Sequence, residues 1–351
     1  MSSQGRGQAD TSRRRRGAGA ISFYDVAQLA GVSTASVSRA LNEPDKISDA
    51  LRRKVLAAAD QLGYRPSMAA RMLAGSRSRT VAAIVPTMRN DVFASGIEAI
   101  EERLGQAGYT LLLGASNYDP RHELQLARTF VARGIDGMIF MGASRLPETD
   151  ALLTERGIAF INQGVWLPDA KVPCVGFDNK AGGAMAARHL LELGHHRLGM
   201  VAGITRGNDR ASARVAGVRA SVRTVGARAT IVEQPYTISG GRAGLEALLE
   251  RDPGITGVVC GNDVLAFGVL FAALERGIAV PRRLSIIGFD DLELCAELRP
   301  SLSSVHVPTA LMGRLAAEYI IARLGGGAPA HATRIELALH ARQSTGPVPA
   351  P

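Results

Sequence analysis

The chain of 351 residues contains few cysteines and no long apolar run. Its three cysteines, Cys174, Cys260 and Cys295, are far apart, and their spacing fits neither a Cys-x-x-Cys metal site nor a disulfide framework. We expect all three to be reduced and partly buried. No apolar run approaches the roughly 20 residues that a membrane-spanning helix requires, and the N-terminal stretch has no apolar signal segment. These absences predict a cytoplasmic protein with no membrane partner.

Sequence motifs of common catalytic sites are also missing. The chain has no Gly-x-Ser-x-Gly elbow, no P-loop and no Gly-x-Gly-x-x-Gly turn. His195 and His196 lie in a Leu-Gly-His-His-Arg turn without other residues at metal-ligand spacing. We therefore expect neither an enzyme nor a bound cofactor or metal.

Positive charge is concentrated in the first quarter of the chain. Residues 1–80 hold 14 basic and six acidic side chains, a net of +8 out of +9 for the whole protein. Such an asymmetry is typical of a segment that contacts phosphates, attached to an ordinary globular body. Residues 1–20 include Arg13–Arg16 and have too little apolar surface to fold alone. This tail is either a solvated extension or a basic arm on DNA.

The stretch Tyr24–Asn42 predicts two short helices joined by a tight turn at Gly31. Apolar residues recur at helical spacing in both, so each helix has one face to bury against the other. These residues are Val26, Leu29, Ala30, Val37, Ala40 and Leu41.

Serines mark the beginnings of both helices. Ser22 stands three residues before Asp25, which is a capping-box spacing, and Ser33 lies where the second helix needs an acceptor for its free N–H groups. The outward side of the second helix has short polar groups and one guanidinium, which suits a helix in the DNA major groove. The residues on that side are Thr34, Ala35, Ser38 and Arg39.

The segments that follow favour DNA binding over a helical hairpin that caps a larger core. Leu-Asn-Glu-Pro-Asp-Lys-Ile-Ser leads to a third amphipathic helix over 49–62, with Ser48 as its cap, and then to Gly-Tyr-Arg-Pro and Ala-Ala-Arg-Met-Leu-Ala-Gly. From residue 20 onward the chain closely resembles the lactose repressor/galactose repressor (LacI/GalR) family of bacterial transcription regulators.

The resemblance implies a hinge helix in Ser67–Ala74. Eight residues are fewer than the roughly 12 to 15 that an isolated helix needs in water, so this segment is expected to fold only on DNA. In the family it pairs with its twin and wedges a leucine into the minor groove; Leu73 matches that leucine, with Ala70 on the same face. Ser67 departs from the family's usual asparagine. The full set of DNA-contacting candidates is Tyr24, Ser33, Thr34, Ala35, Ser38, Arg39, Asn42, Ala70 and Leu73.

Beyond Thr80, short apolar runs alternate with amphipathic helical stretches. Alternation of this kind predicts parallel sheets covered by helices on both faces, and two sets of runs predict two lobes. Ligands bind outside the carboxyl ends of such strands, so facing lobes form a cleft. The expected strands are 81–85, 110–113, 138–141 and 158–161 in the first lobe and 199–202, 230–232, 258–260 and 285–288 in the second.

For this body the resemblance implies an α/β core like that of type I periplasmic binding proteins, following an all-α helix-turn-helix headpiece. The chain then crosses between lobes three times, with the first lobe at 80–178 and 308–334 and the second at 179–307 and 335–343. The expected organisation is a disordered tail at 1–20, the headpiece at 21–66, the hinge at 67–79, the two-lobed domain at 80–343 and a disordered tail at 344–351.

Candidate ligand-binding residues follow the strands or match family positions that contact ligand. They offer carboxylates, amides, an arginine and aromatic faces, which suits a sugar or sugar acid. Val307, where some sugar-binding relatives have a polar residue, leaves a less hydroxylated ligand open, and Arg145 and Arg210 would favour an acid. The candidates are Phe93, Asp178, Arg214, Tyr236, Asn262, Asp263 and Asp290.

These observations predict a DNA-binding regulator, most simply a repressor, whose affinity for operator DNA is controlled by a sugar or sugar-acid effector. We expect a cytoplasmic, nucleoid-associated homodimer on double-stranded palindromic DNA, because the C-terminal residues offer no apolar heptads for further assembly. Two alternatives stay open: a solute-binding protein of a sugar transporter, which would need an export signal in place of the basic headpiece, and an architectural DNA-binding protein with an inert cleft.

Overall fold

The computed structural model describes residues 21–42, 46–64, 77–89 and 91–348. The chain divides into two compact units, residues 1–78 and 79–351. Among the described residues, no helix is both long and apolar enough to cross a membrane.

The described residues of the first unit, 21–42, 46–64 and 77–78, contain three helices. They are α1 (Phe23–Ala30), α2 (Thr34–Asn42) and α3 (Asp49–Gln61). Serines begin all three, as expected: the Ser22 amide donates to Asp25 Oδ2 at 2.7 Å, Ser33 Oγ accepts from the Ser36 amide at 3.2 Å, and Ser48 Oγ accepts from the Leu51 amide at 3.4 Å. Gly31 ends α1 in the left-handed conformation with φ 59°, which a residue with a side chain rarely adopts.

The core of this unit consists of one valine from each helix and the small residues around it. Val26, Val37 and Val55 are fully buried. The prediction for Leu29 is wrong: its side chain is 45% exposed, and Ala27 is buried in its place. The expected hinge helix at 67–74, with Ala70 and Leu73, and the basic tail at 1–20 lie outside the described residues.

The second unit contains two six-stranded sheets. Their strand orders are β11-β5-β4-β3-β1-β2 and β12-β10-β9-β8-β6-β7, and all pairs are parallel except β10 with β12. The strands of the first sheet are β1 (Thr80–Val85), β2 (Thr110–Ala115), β3 (Gly137–Met141), β4 (Ala159–Gln163), β5 (Cys174–Gly176) and β11 (Ala332–Arg334). Those of the second are β6 (Arg197–Gly203), β7 (Arg228–Gln234), β8 (Gly257–Cys260), β9 (Ser285–Asp290), β10 (Ser303–His306) and β12 (Ala338–His340).

Helices connect most of the parallel strands, whereas β4 and β5 are joined by a segment without a helix. The helices are α4 (Ala94–Gln106), α5 (Pro120–Ala132), α6 (Pro147–Glu155), α7 (Asn179–Glu192), α8 (Asp209–Thr224), α9 (Ile238–Arg251), α10 (Asp263–Glu275), α11 (Leu294–Glu297) and α12 (Thr309–Leu324). Every strand expected from the sequence is present, and the predicted fold class is confirmed.

Each sheet is the centre of a lobe. We call the sheet that contains β1 and its covering helices the first lobe, and the sheet that contains β6 and its helices the second lobe. The chain leaves the first sheet after β5, returns to it after β10, and leaves it again after β11. These three crossovers put the carboxyl ends of strands from both sheets beside one cleft.

Helices α7 and α8 approach each other very closely in the second lobe. A Cβ atom on Gly183 would lie 2.2 Å from the backbone oxygen of Arg214, so no larger residue fits at position 183 without displacement. This contact fixes the position of Arg214 relative to α7.

Two expectations about buried and terminal residues need correction. Cys174, Cys260 and Cys295 are free, as expected, but they are buried, not partly buried. Residues 344–348 were assigned to a disordered tail, yet the Ser344 side chain is fully buried and donates to the Ile286 oxygen at 2.6 Å, and the Val348 amide donates to the Leu193 oxygen at 2.9 Å. The reason is that this segment pairs with the beginning of β9, which β10 does not reach: the Ile286 amide donates to the Ser344 oxygen at 2.8 Å, and the pairing of β10 with β9 begins at Ile287.

Candidate functional site

The second helix of the first unit presents a polar surface of short side chains. Thr34, Ala35 and Arg39 are exposed, and Ser38 is half-buried beside the buried Val37. Tyr24 on α1 is 68% exposed, and Ser33 is exposed at the beginning of α2. Asn42 is the last residue of α2, and its side chain lies outside the described part of the chain. The predicted DNA-contacting residues that are described therefore belong to one small helical unit with an accessible guanidinium.

The second unit contains two adjoining cavities in the cleft between its lobes. The larger has a volume of about 570 Å³ and the smaller about 370 Å³. Five residues line both cavities, so we treat them as the two halves of one cleft. They are Val92, Phe93, Arg210, Arg214 and Asp290.

Arg214 is held rigidly at the junction of the two halves. Its Nε donates to Asn179 Oδ1 at 3.0 Å and its Nη1 to the Gly261 oxygen at 2.6 Å. The guanidinium carbon lies 3.7 Å from the centroid of the Phe289 ring, in a cation–π arrangement. With these contacts in place, Nη2 points to Asp290 Oδ1 at 3.9 Å.

Asp290 combines a strained backbone with a buried carboxyl group. It ends β9 with φ 105°, a value that side chains rarely permit, and such strain is concentrated at functional sites. Burial raises the pKa of Asp290 to about 7, although the positive charge of Arg214 opposes this shift. Near neutral pH this carboxyl can therefore either donate or accept a hydrogen bond.

Tyr236 and Asn262 are two of the predicted ligand-binding residues, and both line the polar half of the cleft. Tyr236 follows β7, and its ring centroid lies 6.0 Å from that of Tyr118, which follows β2 in the first lobe. Asn262 caps α10 by accepting from the Leu265 amide at 3.0 Å, so its amide NH₂ group is left for other partners. Burial raises the pKa of both tyrosines, and each keeps its phenolic proton at neutral pH.

Two predicted residues do not line either half of the cleft. Asp178 accepts from the Ala181 amide at 3.0 Å and caps α7. Asp263 is fully buried, where it accepts from the Leu292 amide at 2.8 Å and the Ser304 hydroxyl at 2.7 Å. In this arrangement both carboxylates hold backbone and neighbouring side chains in place.

The first lobe supplies an apolar half. Gln163, at the end of β4, and Thr309, at the beginning of α12, are the polar exceptions. Gln163 is buried, and its Oε1 has no hydrogen-bond partner among the described residues. The apolar residues around it, apart from Val92 and Phe93, include Ile97, Ile100, Ile139, Phe140, Met141, Phe177, Val307 and Met312.

The two arginines expected to add positive charge behave differently. Arg210 lines both halves, and its Nε has no hydrogen-bond partner among the described residues. Arg145 lines neither half, because it bonds to Asp150 and Asn162 and packs over the Phe140 ring inside the first lobe.

Sequence reasoning missed Tyr118 and Asn208. Both line the polar half, and Asn208 also caps α8 by accepting from the Ala211 amide at 3.2 Å. Each follows the carboxyl end of a strand in the chain, and that position was the available signal. His195, in contrast, is fully buried, with its Nδ1 2.9 Å from Thr256 Oγ1 and its Nε2 3.0 Å from the Gly346 oxygen, so its ring packs inside the second lobe.

Comparison with known proteins gives the same two-part organisation. Residues 22–67 match the bacterial regulatory proteins of the lacI family, and residues 187–345 match the periplasmic binding protein-like domain. The transcriptional repressor CytR of Escherichia coli K12 is 34% identical over 315 residues, which cover 88% of this chain and 91% of the relative.

Solved structures agree with the sequence comparison. A LacI family regulator from Silicibacter pomeroyi is 28% identical and superposes with a TM-score of 0.82, with 92% of this chain and 99% of that chain covered. A complex of the regulator CelR with cellobiose is 26% identical, with a TM-score of 0.69 and coverage of 92% and 99%.

A helix-turn-helix unit with an exposed polar helix precedes a two-lobed body whose cleft has side chains from both lobes. The relatives with this organisation are named transcriptional regulators, not enzymes. On this evidence the chain is a DNA-binding transcriptional regulator that belongs to the LacI/GalR family.

Proposed function

We propose that a small molecule bound in the cleft controls the affinity of this regulator for operator DNA. The observation that carries the proposal is the cleft itself. Phe93 from the first lobe and Arg214, Tyr236, Asn262 and Asp290 from the second line one polar cavity. A ligand there contacts both lobes, so its binding free energy depends on how they are arranged, and coupling to a second site follows.

A sugar or sugar acid is the ligand class that the polar half supports best. Two arginines, two amide-bearing side chains, a carboxyl near its pKa and two phenols supply donors and acceptors for several hydroxyl groups. The apolar half accommodates the less polar face of the ring or an apolar substituent. Cellobiose in the CelR complex is a sugar bound by a relative of the same fold.

On DNA we propose a homodimer that acts as a repressor from the cytoplasm, associated with the nucleoid. Two copies of α2 would enter successive major-groove faces of a palindromic site, with half-sites about 10 base pairs apart. Arg39 would pair with a guanine, Thr34 and Ser38 with base edges or phosphates, and Ala35 with a thymine methyl group. Coupling between effector and operator is expected to be about 1 to 3 kcal/mol, or roughly 5- to 150-fold in operator affinity.

The test follows operator binding by the full chain while sugars and sugar acids are added. The operator is first selected from genomic fragments by the purified protein. At least one compound should change operator affinity at least about fivefold, the lower end of typical coupling. If no compound binds or changes affinity, the effector proposal is wrong while DNA binding stands.

A pair of matched arginine variants locates the effect. Arg214→Lys loses the guanidinium fork at the cleft, whereas Arg219→Lys changes an exposed residue on the same helix. The first variant should weaken the response to effector and the second should not. An equal response in both would place the ligand elsewhere.

A further inference from the structure

A cluster of one carboxylate and two imidazoles lies outside the two halves of the ligand cleft. Asp291 follows β9, His306 ends β10 and His340 ends β12. Asp291 Oδ2 lies 3.0 Å from His306 Nδ1 and 2.6 Å from His340 Nδ1. The three potential ligand atoms lie within 4.8 Å of one another.

Strand pairing brings the two histidines together. In the antiparallel pair of β10 and β12, Ser304 lies opposite His340 and His306 opposite Ala338, so the histidines are diagonal neighbours on one face. Their rings stack with centroids 4.9 Å apart and planes 17° apart. Both side chains are about half exposed, while that of Asp291 is only 8% exposed.

Asp291 is oriented from its other side. Arg342 Nη1 donates to Asp291 Oδ1 at 2.7 Å and also to the Leu302 oxygen at 2.8 Å. The Asp291 amide donates to Ser304 Oγ at 3.1 Å. The carboxylate is therefore fixed with Oδ2 facing the imidazoles.

We propose that Asp291, His306 and His340 form a binding site for a divalent cation of the zinc class. Two imidazole nitrogens and one carboxylate oxygen are donors that Zn²⁺ accepts at about 2.0 to 2.2 Å. Tetrahedral geometry at those lengths needs donor atoms about 3.3 Å apart. All separations are already within 4.8 Å, and the shortest, 2.6 Å, must widen, which rotations of two half-exposed imidazoles allow.

The protons balance without an added base. A histidine that donates from Nδ1 either moves that proton to Nε2 or, where both ring nitrogens carry protons, releases one to the solvent, and the freed Nδ1 lone pair binds the cation. The carboxylate binds through Oδ2, and Arg342 remains its hydrogen-bonded support, as expected for a ligand in a metal site. Water would supply the fourth ligand, since both imidazoles are about half exposed.

The site would join segments beside two crossovers between the lobes. His306 immediately precedes the passage from β10 to α12, and His340 lies three residues after the passage from β11 into β12 at Leu337. A bound cation would replace hydrogen bonds that already connect β9, β10 and β12 with stronger bonds. The competing interpretation is that the cluster only connects these strands by hydrogen bonds and binds no cation.

The experiment titrates the full chain, freed of affinity tag and metal, with Zn²⁺ by calorimetry and with Co²⁺ by visible absorption. One saturable site per chain is expected. The Co²⁺ spectrum should lack thiolate charge-transfer bands, since the three cysteines are buried elsewhere. No saturable site in the unaltered protein would overturn the proposal.

Three variants assign the site. His340→Gln and Asp291→Asn should each weaken Zn²⁺ binding at least about tenfold, because each removes a ligand. Asparagine tolerates the left-handed backbone at position 291, where φ is 60°, so this variant should fold even if the histidine variant does not; circular dichroism checks both. His331→Gln, at an exposed histidine outside the cluster, should bind like the unaltered protein. Undiminished binding by either ligand variant would mean that the cluster is a hydrogen-bonded connection only.

Discussion

The backbone amide of Ala143 in the first lobe donates a 2.7 Å hydrogen bond to Asp209 Oδ2 in the second. Ala143 follows β3, and Asp209 is the first residue of α8. The two lobes therefore meet at the edge of the cleft through a direct contact that needs no ligand. Such a contact favours the arrangement of the lobes in this structure, which we call the closed arrangement, and its contribution to the free energy of closure does not depend on the effector.

Replacing Asp209 should weaken closure. Asp209→Ala removes the acceptor, and a partly exposed charged hydrogen bond is worth about 1 kcal/mol, so effector affinity should fall about fivefold. The radius of gyration of the ligand-free protein, measured by X-ray scattering, should increase. Asp209→Asn keeps an acceptor oxygen and is the control. If alanine and asparagine variants behave alike, the bond does not hold the lobes.

Gly183→Ala should displace Arg214 without touching any ligand. The added Cβ would meet the Arg214 oxygen at 2.2 Å, so α7 and α8 must separate at a cost of about 1 to 3 kcal/mol. Urea denaturation should show this loss, and effector affinity should fall because Arg214 shifts relative to Asn179. Gly105→Ala is the control, because its Cβ would meet nothing within 4 Å inside a helix, and it should stabilise by about 0.5 to 1 kcal/mol. An unchanged Gly183→Ala protein would show that the helices adjust freely.

The sequence was sufficient for eight of the twelve described strands, for the serine caps and for the two-lobed architecture, because buried parallel strands and serine caps leave strong local patterns. It did not predict β5, β10, β11 and β12, which have only three or four residues each. It was insufficient for Leu29. Val26 and Ala30 define a helical stripe whose third member can be Ala27 or Leu29, and packing against α3, which is distant in sequence, decides for Ala27.

The cleft was predicted in position but not in detail. Asn262 and Asp263 are consecutive at the beginning of α10, yet one lines the cavity and the other is buried against Ser304, since adjacent residues at a helix start point in different directions. The position of Tyr118 after β2 was a signal in the sequence, but its left-handed backbone, with φ 59°, and the 6.0 Å approach of its ring to that of Tyr236 left no pattern there.

Arg39→Ala tests the recognition surface. If Arg39 pairs with a guanine, the variant should lose about 1 to 3 kcal/mol of operator affinity and tolerate substitution at one base position. Binding to a panel of operators, each altered at one base pair, measures both effects. Arg53→Ala, at an exposed residue of α3, should cause at most a uniform loss across the panel. A uniform loss for Arg39→Ala would identify Arg39 as a phosphate contact.

Asp290→Asn should stabilise the protein at pH 8 more than at pH 5. The pKa of Asp290 is about 7 in the folded protein, above the ordinary 3.8, so the folded state holds the proton more tightly. Stability from this group is therefore fully present below pH 4 and is lost as the pH rises to about 7, with a cost of up to about 4 kcal/mol above that. Asparagine has no charge to bury and avoids this cost, at the expense of the carboxyl in the cleft.

Urea denaturation at the two pH values measures the difference, and Asp252→Asn gives a control of opposite sign. A hydrogen bond from Arg197 holds the pKa of Asp252 below its ordinary value. Its carboxylate therefore stabilises the fold above the unfolded pKa, and removing it should destabilise the protein at pH 8. If Asp290→Asn brings no gain at pH 8 while Asp252→Asn behaves as expected, Arg214 compensates the buried charge fully. Asp290 would then be a permanent anion in the cleft, and the effector would have to donate hydrogen bonds to it.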